Sequence, residues 1–136
     1  MKRWEIEFFE DEGHQPVREW LDSNDVPDDV QWRVLARIDL LAQHGPTLDH
    51  PYTSQIEGKL RELRFRFGKT RFRVLYFFDD RRVGVLLHGF TKDTDAVEES
   101  DKQIGRSRMN KHNERLTVEK EKARARDKKK SKGRKR

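Results

Sequence analysis

Arg64, Arg66, Arg71 and Arg73 fall close together within Leu60 to Lys92, LRELRFRFGKTRFRVLYFFDDRRVGVLLHGFTK. Arg64 and Arg66 alternate with Leu63, Phe65 and Phe67, the two-residue period of a strand. Arg71 and Arg73 alternate with Phe72, Val74, Tyr76 and Phe78 in the next run. Gly68-Lys69 lies between them where a hairpin turn is needed. Pairing the two runs crowds the four guanidiniums onto one face. Like charges on neighbouring strands repel unless acids or an anionic ligand compensate. Two readings stay open. The face is solvated and balanced by Glu62 and Asp79, or it binds phosphate, whose oxygens a planar guanidinium meets in pairs.

The elements that must hold this face are legible in the rest of the pattern. Three consecutive antiparallel strands are expected at about 60–67, 71–78 and 82–90, with Asp79-Asp80-Arg81 as the second turn. Upstream, Trp4, Ile6 and Phe8 alternate with charged residues, so Lys2–Phe9 reads as a half-buried strand. Pro16 opens a short helix carrying Val17, Trp20 and Leu21. Pro27, with Asp28 and Asp29 after it, opens a second, because acids suit the positive end of a helix. Val30, Val34, Leu35, Ile38 and Leu41 give that helix one apolar face, and Gly45-Pro46 stops it. Thr47–Gly58 reads as a polar loop in which His50 and Tyr52 have no evident role. After Phe90 the apolar residues thin out. Thr94 or Asp95 is a candidate cap for a helix over about Lys102–Met109, with VEKEKARAR as its possible extension. The order is β-α-α-β-β-β-α, an α+β fold whose small antiparallel sheet packs against an N-terminal helical hairpin.

Charge divides the chain in two. Residues 106–136 hold 15 Lys/Arg against 4 Asp/Glu, whereas residues 1–105 hold 16 against 21. The net +6 therefore describes the tail, and the body is mildly acidic. An acidic body with a basic arm is a pattern of proteins that work on nucleic acid. A domain over 1–108 and then a basic, helical or disordered tail over 109–136 is the expected organisation, with DKKKSKGRKR disordered in isolation. The chain has no cysteine, so disulfides and thiolate metal sites are excluded. His14, His44, His50, His88 and His112 lack mutual ligand spacing, and neither metal nor cofactor is expected. MKRWEIEFFEDE is acidic where a signal peptide is apolar, and no run approaches a membrane span. A cytoplasmic protein without membrane contact is expected.

LRELRFRFGKTRFRVLYFFDD, then VGVLLHGFTKDT, with PVREWL and IDLLAQHGP upstream, resembles the RelE/ParE superfamily of bacterial toxins in its phage-derived HigB-like branch. The resemblance covers about residues 4–108. That branch carries a second lysine where this chain has Asp93, and an alanine where it has Gly105. The resemblance implies a toxin paired with a cognate antitoxin, such as a small helix-turn-helix protein, that enters the ribosome and cleaves mRNA without a cofactor. In that reaction a ribose 2′-OH attacks the neighbouring phosphate, and charge builds on the non-bridging oxygens. Fixed cations stabilise that charge. Arg64 and Arg73 are the first candidates for this role, with Arg71 and Lys92 next. His88 and Tyr76 are the titratable groups nearest in sequence. Arg66, Arg71, Lys69, Arg106, Arg108 and Lys111 are candidate RNA contacts. Two other readings stand beside this one: a ParE-like toxin directed at gyrase, and a non-catalytic nucleic-acid-binding protein of phage origin.

Overall fold

A computed structural model describes residues 3–92 and 97–133. Its elements are β1 (Ile6–Phe8), α1 (Pro16–Leu21), α2 (Asp28–His44), β2 (Thr53–Glu57), β3 (Leu60–Phe67), β4 (Thr70–Phe78), β5 (Gly84–Lys92) and α3 (Glu99–Gly133). The fold is α+β, as the sequence pattern requires. One five-stranded sheet runs β1-β5-β4-β3-β2, antiparallel except where β1 lies parallel to β5. Among the described residues no helix is long and apolar enough to cross a membrane.

The strand at β2 corrects the expected loop over Thr47–Gly58. Thr53 pairs with Leu63 and Gln55 with Arg61 at the sheet edge. TSQIE has no apolar stripe because only Thr53 is fully covered, so its strand character comes from pairing rather than from pattern. At the opposite edge, β1 takes up only Ile6–Phe8 of the expected Lys2–Phe9, of which Lys2 lies outside the described residues.

Each face of the sheet buries its own core. On one, Leu63, Phe72, Val74, Tyr76 and Leu86 meet Val17, Trp20 and Leu21 of α1 and Val30, Val34, Ile38 and Leu41 of α2. Trp20 lies flat enough on Gly89 that a Cβ there would come within 2.2 Å of its ring. Leu35, expected on the buried stripe of α2, is instead 44% exposed, because it sits one residue beyond the Val34 contact and points off the sheet.

On the other face, Leu60, Leu75, Phe77, Val85, Leu87 and Phe90 are covered by Met109 of α3 and by Val97 just before it. At Gly105 the helix comes so close that a Cβ would lie 2.9 Å from Leu75 Cδ1. A helix expected over about Lys102–Met109 thus runs from Glu99 to Gly133, through much of the segment expected to be disordered. Docking of its first turns supplies the costly nucleus, and the helix then propagates into good helix formers. The expected caps Thr94 and Asp95 lie outside the described residues. Side chains from His112 to Leu116 pin the middle of α3. His112 Nε2 lies 2.9 Å from Asp79 Oδ2, and Arg115 reaches Asp11 and the Glu10 carbonyl. Burial pushes the Asp79 carboxyl up, but hydrogen bonds from Arg81, His112 and the Val83 N–H together hold it below its ordinary value.

Candidate functional site

The ladder between β3 and β4 sets Arg64 opposite Arg73 and Arg66 opposite Arg71. The expected block of four guanidinium-bearing side chains therefore forms on one face. The next strand extends it, since Arg71 also faces Lys92 and Arg73 faces Phe90 across β5. These residues share the face on which α3 lies, beyond the end of the apolar patch that the helix covers.

Glu62 determines how the block is held. It is 3% exposed, one period before Arg64 on β3. Arg73 Nη1 donates to its Oε2 at 2.6 Å, and Arg64 Nε lies 3.6 Å from its Oε1. The Ser54 hydroxyl of β2 donates to Oε1 at 2.7 Å. Arg73 is itself 2% exposed. The buried carboxylate thus fixes Arg73 in the floor and leaves Arg64, with its side chain 31% exposed, to face solvent. Glu62 thus ties together guanidiniums from two neighbouring strands.

The cleft opens where the sheet edge is left bare. β2 accompanies β3 only until the Arg64 N–H donates to the Tyr52 carbonyl at 2.8 Å. Beyond that point lies an open cleft of about 520 Å³. Among the described residues, Arg37, Arg64, Arg66, Arg71 and Arg73 line it together with His50, Pro51, Tyr52, Phe65 and Phe72. Arg37 enters from α2. Its guanidinium donates to the Arg64 carbonyl at 3.4 Å and lies over the rings of Tyr52 and Phe65. Arg66 donates from Nε to the Gly68 carbonyl at 3.1 Å, and Lys69 is exposed at the turn.

His88 and Lys92 form a separate cluster beside the block. A register shift near Tyr76 places Leu75 opposite His88 but Tyr76 opposite Leu86, so Leu87 is an inserted residue. Such a bulge re-aims the side chains next to it. Leu87 and His88 both turn toward α3, where His88 Nε2 lies 2.9 Å from Asp101 Oδ1. The ring also stacks on Phe90. Lys92 Nζ meets Asp101 at 3.2 Å and Glu98 at 2.9 Å. Burial pushes the His88 pKa below its ordinary value, with Arg108 and Lys92 adding to the effect and Asp101 opposing it. His88 does not line the cleft, and Tyr76 is buried in the core on the other side of the sheet.

The remaining candidates lie apart. Arg106 pairs with Glu57 and Glu99, Arg108 donates to the Leu87 carbonyl, and Lys111 pairs with Asp11. Arg108 and Lys111 border a different depression with Asp11, Gln103 and Ser107. Conversely, Arg37, His50 and Tyr52 were not legible as site residues. They join the cleft only through the packing of α2 and the return of the chain into β2. Among the described residues no group of three or more His, Asp or Glu side chains could hold a metal ion.

The family model described as Phage derived protein Gp49-like (DUF891) matches residues 19–110. No curated protein matches the chain. The matched span begins in α1 and ends within α3, so it takes in every element from which the cleft is built. The chain belongs to this phage-derived Gp49-like family, which is RelE-like and toxin-like in kind.

Proposed function

We propose that the chain is the toxin of a type II toxin–antitoxin pair, in the HigB-like branch, and that it cleaves mRNA on the ribosome in the cytoplasm. The observation that carries this reading is the cleft that five arginines line together. In the proposed reaction the 2′-OH oxygen forms a bond to the adjacent phosphorus and the bond to the 5′ oxygen breaks. The products are a 2′,3′-cyclic phosphate and a 5′-OH. Arg64 and Arg71 contact the non-bridging oxygens, where negative charge grows. Arg73, held by Glu62, sets the field beneath them. Preorganised cations of this kind need no reorganisation as the transition state forms. One proton leaves the 2′-OH and one reaches the 5′ oxygen. His50 is the imidazole that lines the cleft, and this favours it over His88 for one of these transfers.

The distal part of α3 fits the same reading. After Leu116, every side chain through Lys130 is exposed except Ala123, which is half-buried. A helix of 35 residues is about 52 Å long, so this basic portion is an arm of some length. It grips ribosomal or messenger RNA by releasing counterions, without reading sequence. Removing residues 119–136 is expected to weaken ribosome binding and to flatten its dependence on salt. An unchanged slope of log affinity against log salt would exclude the arm from binding.

Brief induction of the gene, with mapping of mRNA 5′ ends, tests the central reading. New ends within translated regions are expected within minutes. Growth arrest with intact transcripts and DNA damage signalling would instead favour a gyrase-directed toxin. Isolation together with a small helix-turn-helix protein is the expected partner result.

A further inference from the structure

Next to the cleft, α2 and β3 build a strip in which aromatic rings alternate with guanidiniums. The Arg33 guanidinium lies 4.9 Å from the ring of Trp32 and 4.9 Å from that of Phe67. One helical turn on, the Arg37 guanidinium lies 4.8 Å from Tyr52 and 5.4 Å from Phe65. Trp32 is 60% exposed, and Phe67 and Tyr52 are each 39% exposed. Leaving three large rings in water forgoes the burial that usually holds such residues inside. Here the two guanidiniums take aromatic faces as partners, which keeps their charge available to an anion. The strip is continuous with the cleft, because Arg37, Tyr52 and Phe65 belong to both.

From these positions we infer that the strip is a stacking track for the unpaired bases of single-stranded RNA whose backbone lies in the arginine cleft. The inference rests on the reading of the cleft as an RNA site and extends it to the nucleotides beside the reacting phosphate. Unpaired bases stack on aromatic rings and on guanidinium planes alike, and any base has a face to offer. A duplex keeps its bases stacked on one another and cannot use the track. A protein partner is the less favoured occupant, because two guanidiniums sit among the four rings, and a polyanion complements them.

The test uses the full-length chain and a short, labelled single-stranded RNA with 2′-O-methyl groups, which lacks the nucleophile for cleavage. Binding is measured by anisotropy over a series of salt concentrations, for the parent and for a Trp32→Ala/Phe67→Ala double variant. The double variant is expected to bind about ten-fold more weakly or worse. Its salt slope should match the parent's, since no charge is removed. The same sequence as a duplex should bind both proteins equally, and a Trp32→Tyr/Phe67→Tyr variant should bind the strand like the parent. Equal thermal midpoints for all three proteins establish that folding is intact. A parent that fails to bind the strand at low salt overturns the inference. So does a double variant that binds it undiminished, or one that loses strand and duplex alike. Ribosome-dependent cleavage is scored separately. Absence of cleavage by the parent strikes at the proposed reaction, while the binding comparison still decides the track.

Discussion

At the scale of single residues, Glu62 decides how the arginine block is held. Its carboxylate is buried between Arg73 and Arg64, and such pairs behave asymmetrically. Forming the pair in the interior contributes little, but removing one partner takes away part of what compensates the other buried charge. Glu62→Gln is therefore expected to destabilise the fold by about 2–4 kcal/mol, read from urea unfolding. A loss below about 1 kcal/mol would mean that Arg73 finds solvent or another carboxylate. His88 gives a prediction in pH. Burial holds its folded-state pKa below the unfolded value of about 6.5. The unfolded chain therefore binds the proton first as pH falls, so stability drops as pH falls from neutral through about 6.5 toward the folded pKa. His88→Gln should lose less stability than the parent between pH 7.5 and pH 5.5. Equal losses would place the acid sensitivity elsewhere.

At the scale of elements, the alternation in β3 and β4 was enough to set Arg64 against Arg73 and Arg66 against Arg71. A period of two and a turn of fixed length leave little freedom in register. The helices α1 and α2 were legible for the same kind of reason, since proline and acids mark their starts and an apolar stripe marks the buried side. What was not legible came from contacts distant in sequence. β2 is a strand only because β3 offers it an edge. The bulge at Leu87, which turns His88 toward Asp101, leaves no trace in the letters Leu-Leu-His-Gly. Arg37, His50 and Tyr52 reach the cleft from two separate segments, so no local spacing marks them. The close seat of Trp20 on Gly89 yields a prediction about how α1 holds β5. Gly89→Ala is expected to cost about 1–3 kcal/mol, because a rigid ring rather than a flexible chain end must move. A thermal midpoint equal to the parent's would show that α1 can shift without penalty.

At the scale of the whole molecule, the sheet separates two tasks. One face packs its whole length on α1 and α2, while the other buries a second core under α3 and, past that cover, carries the arginine block. The acidic body and basic arm divide the charge along the chain in the same sense. This arrangement brings positive charge to a defined edge of a small fold without crowding its core. It also explains why the basic balance of the chain says little about the domain that holds the cleft. The central claim is that the guanidiniums on this edge act on an RNA phosphate. The most direct measurement is the rate of mRNA cleavage in a purified translation system, for the parent and for Arg64→Ala. Since Arg64 is partly exposed and its removal leaves the Arg73–Glu62 pair in place, the variant should fold and still bind ribosomes. Cleavage slower by about 100-fold or more is expected of the variant. Cleavage at the parental rate by a folded, ribosome-bound Arg64→Ala protein would contradict the claim.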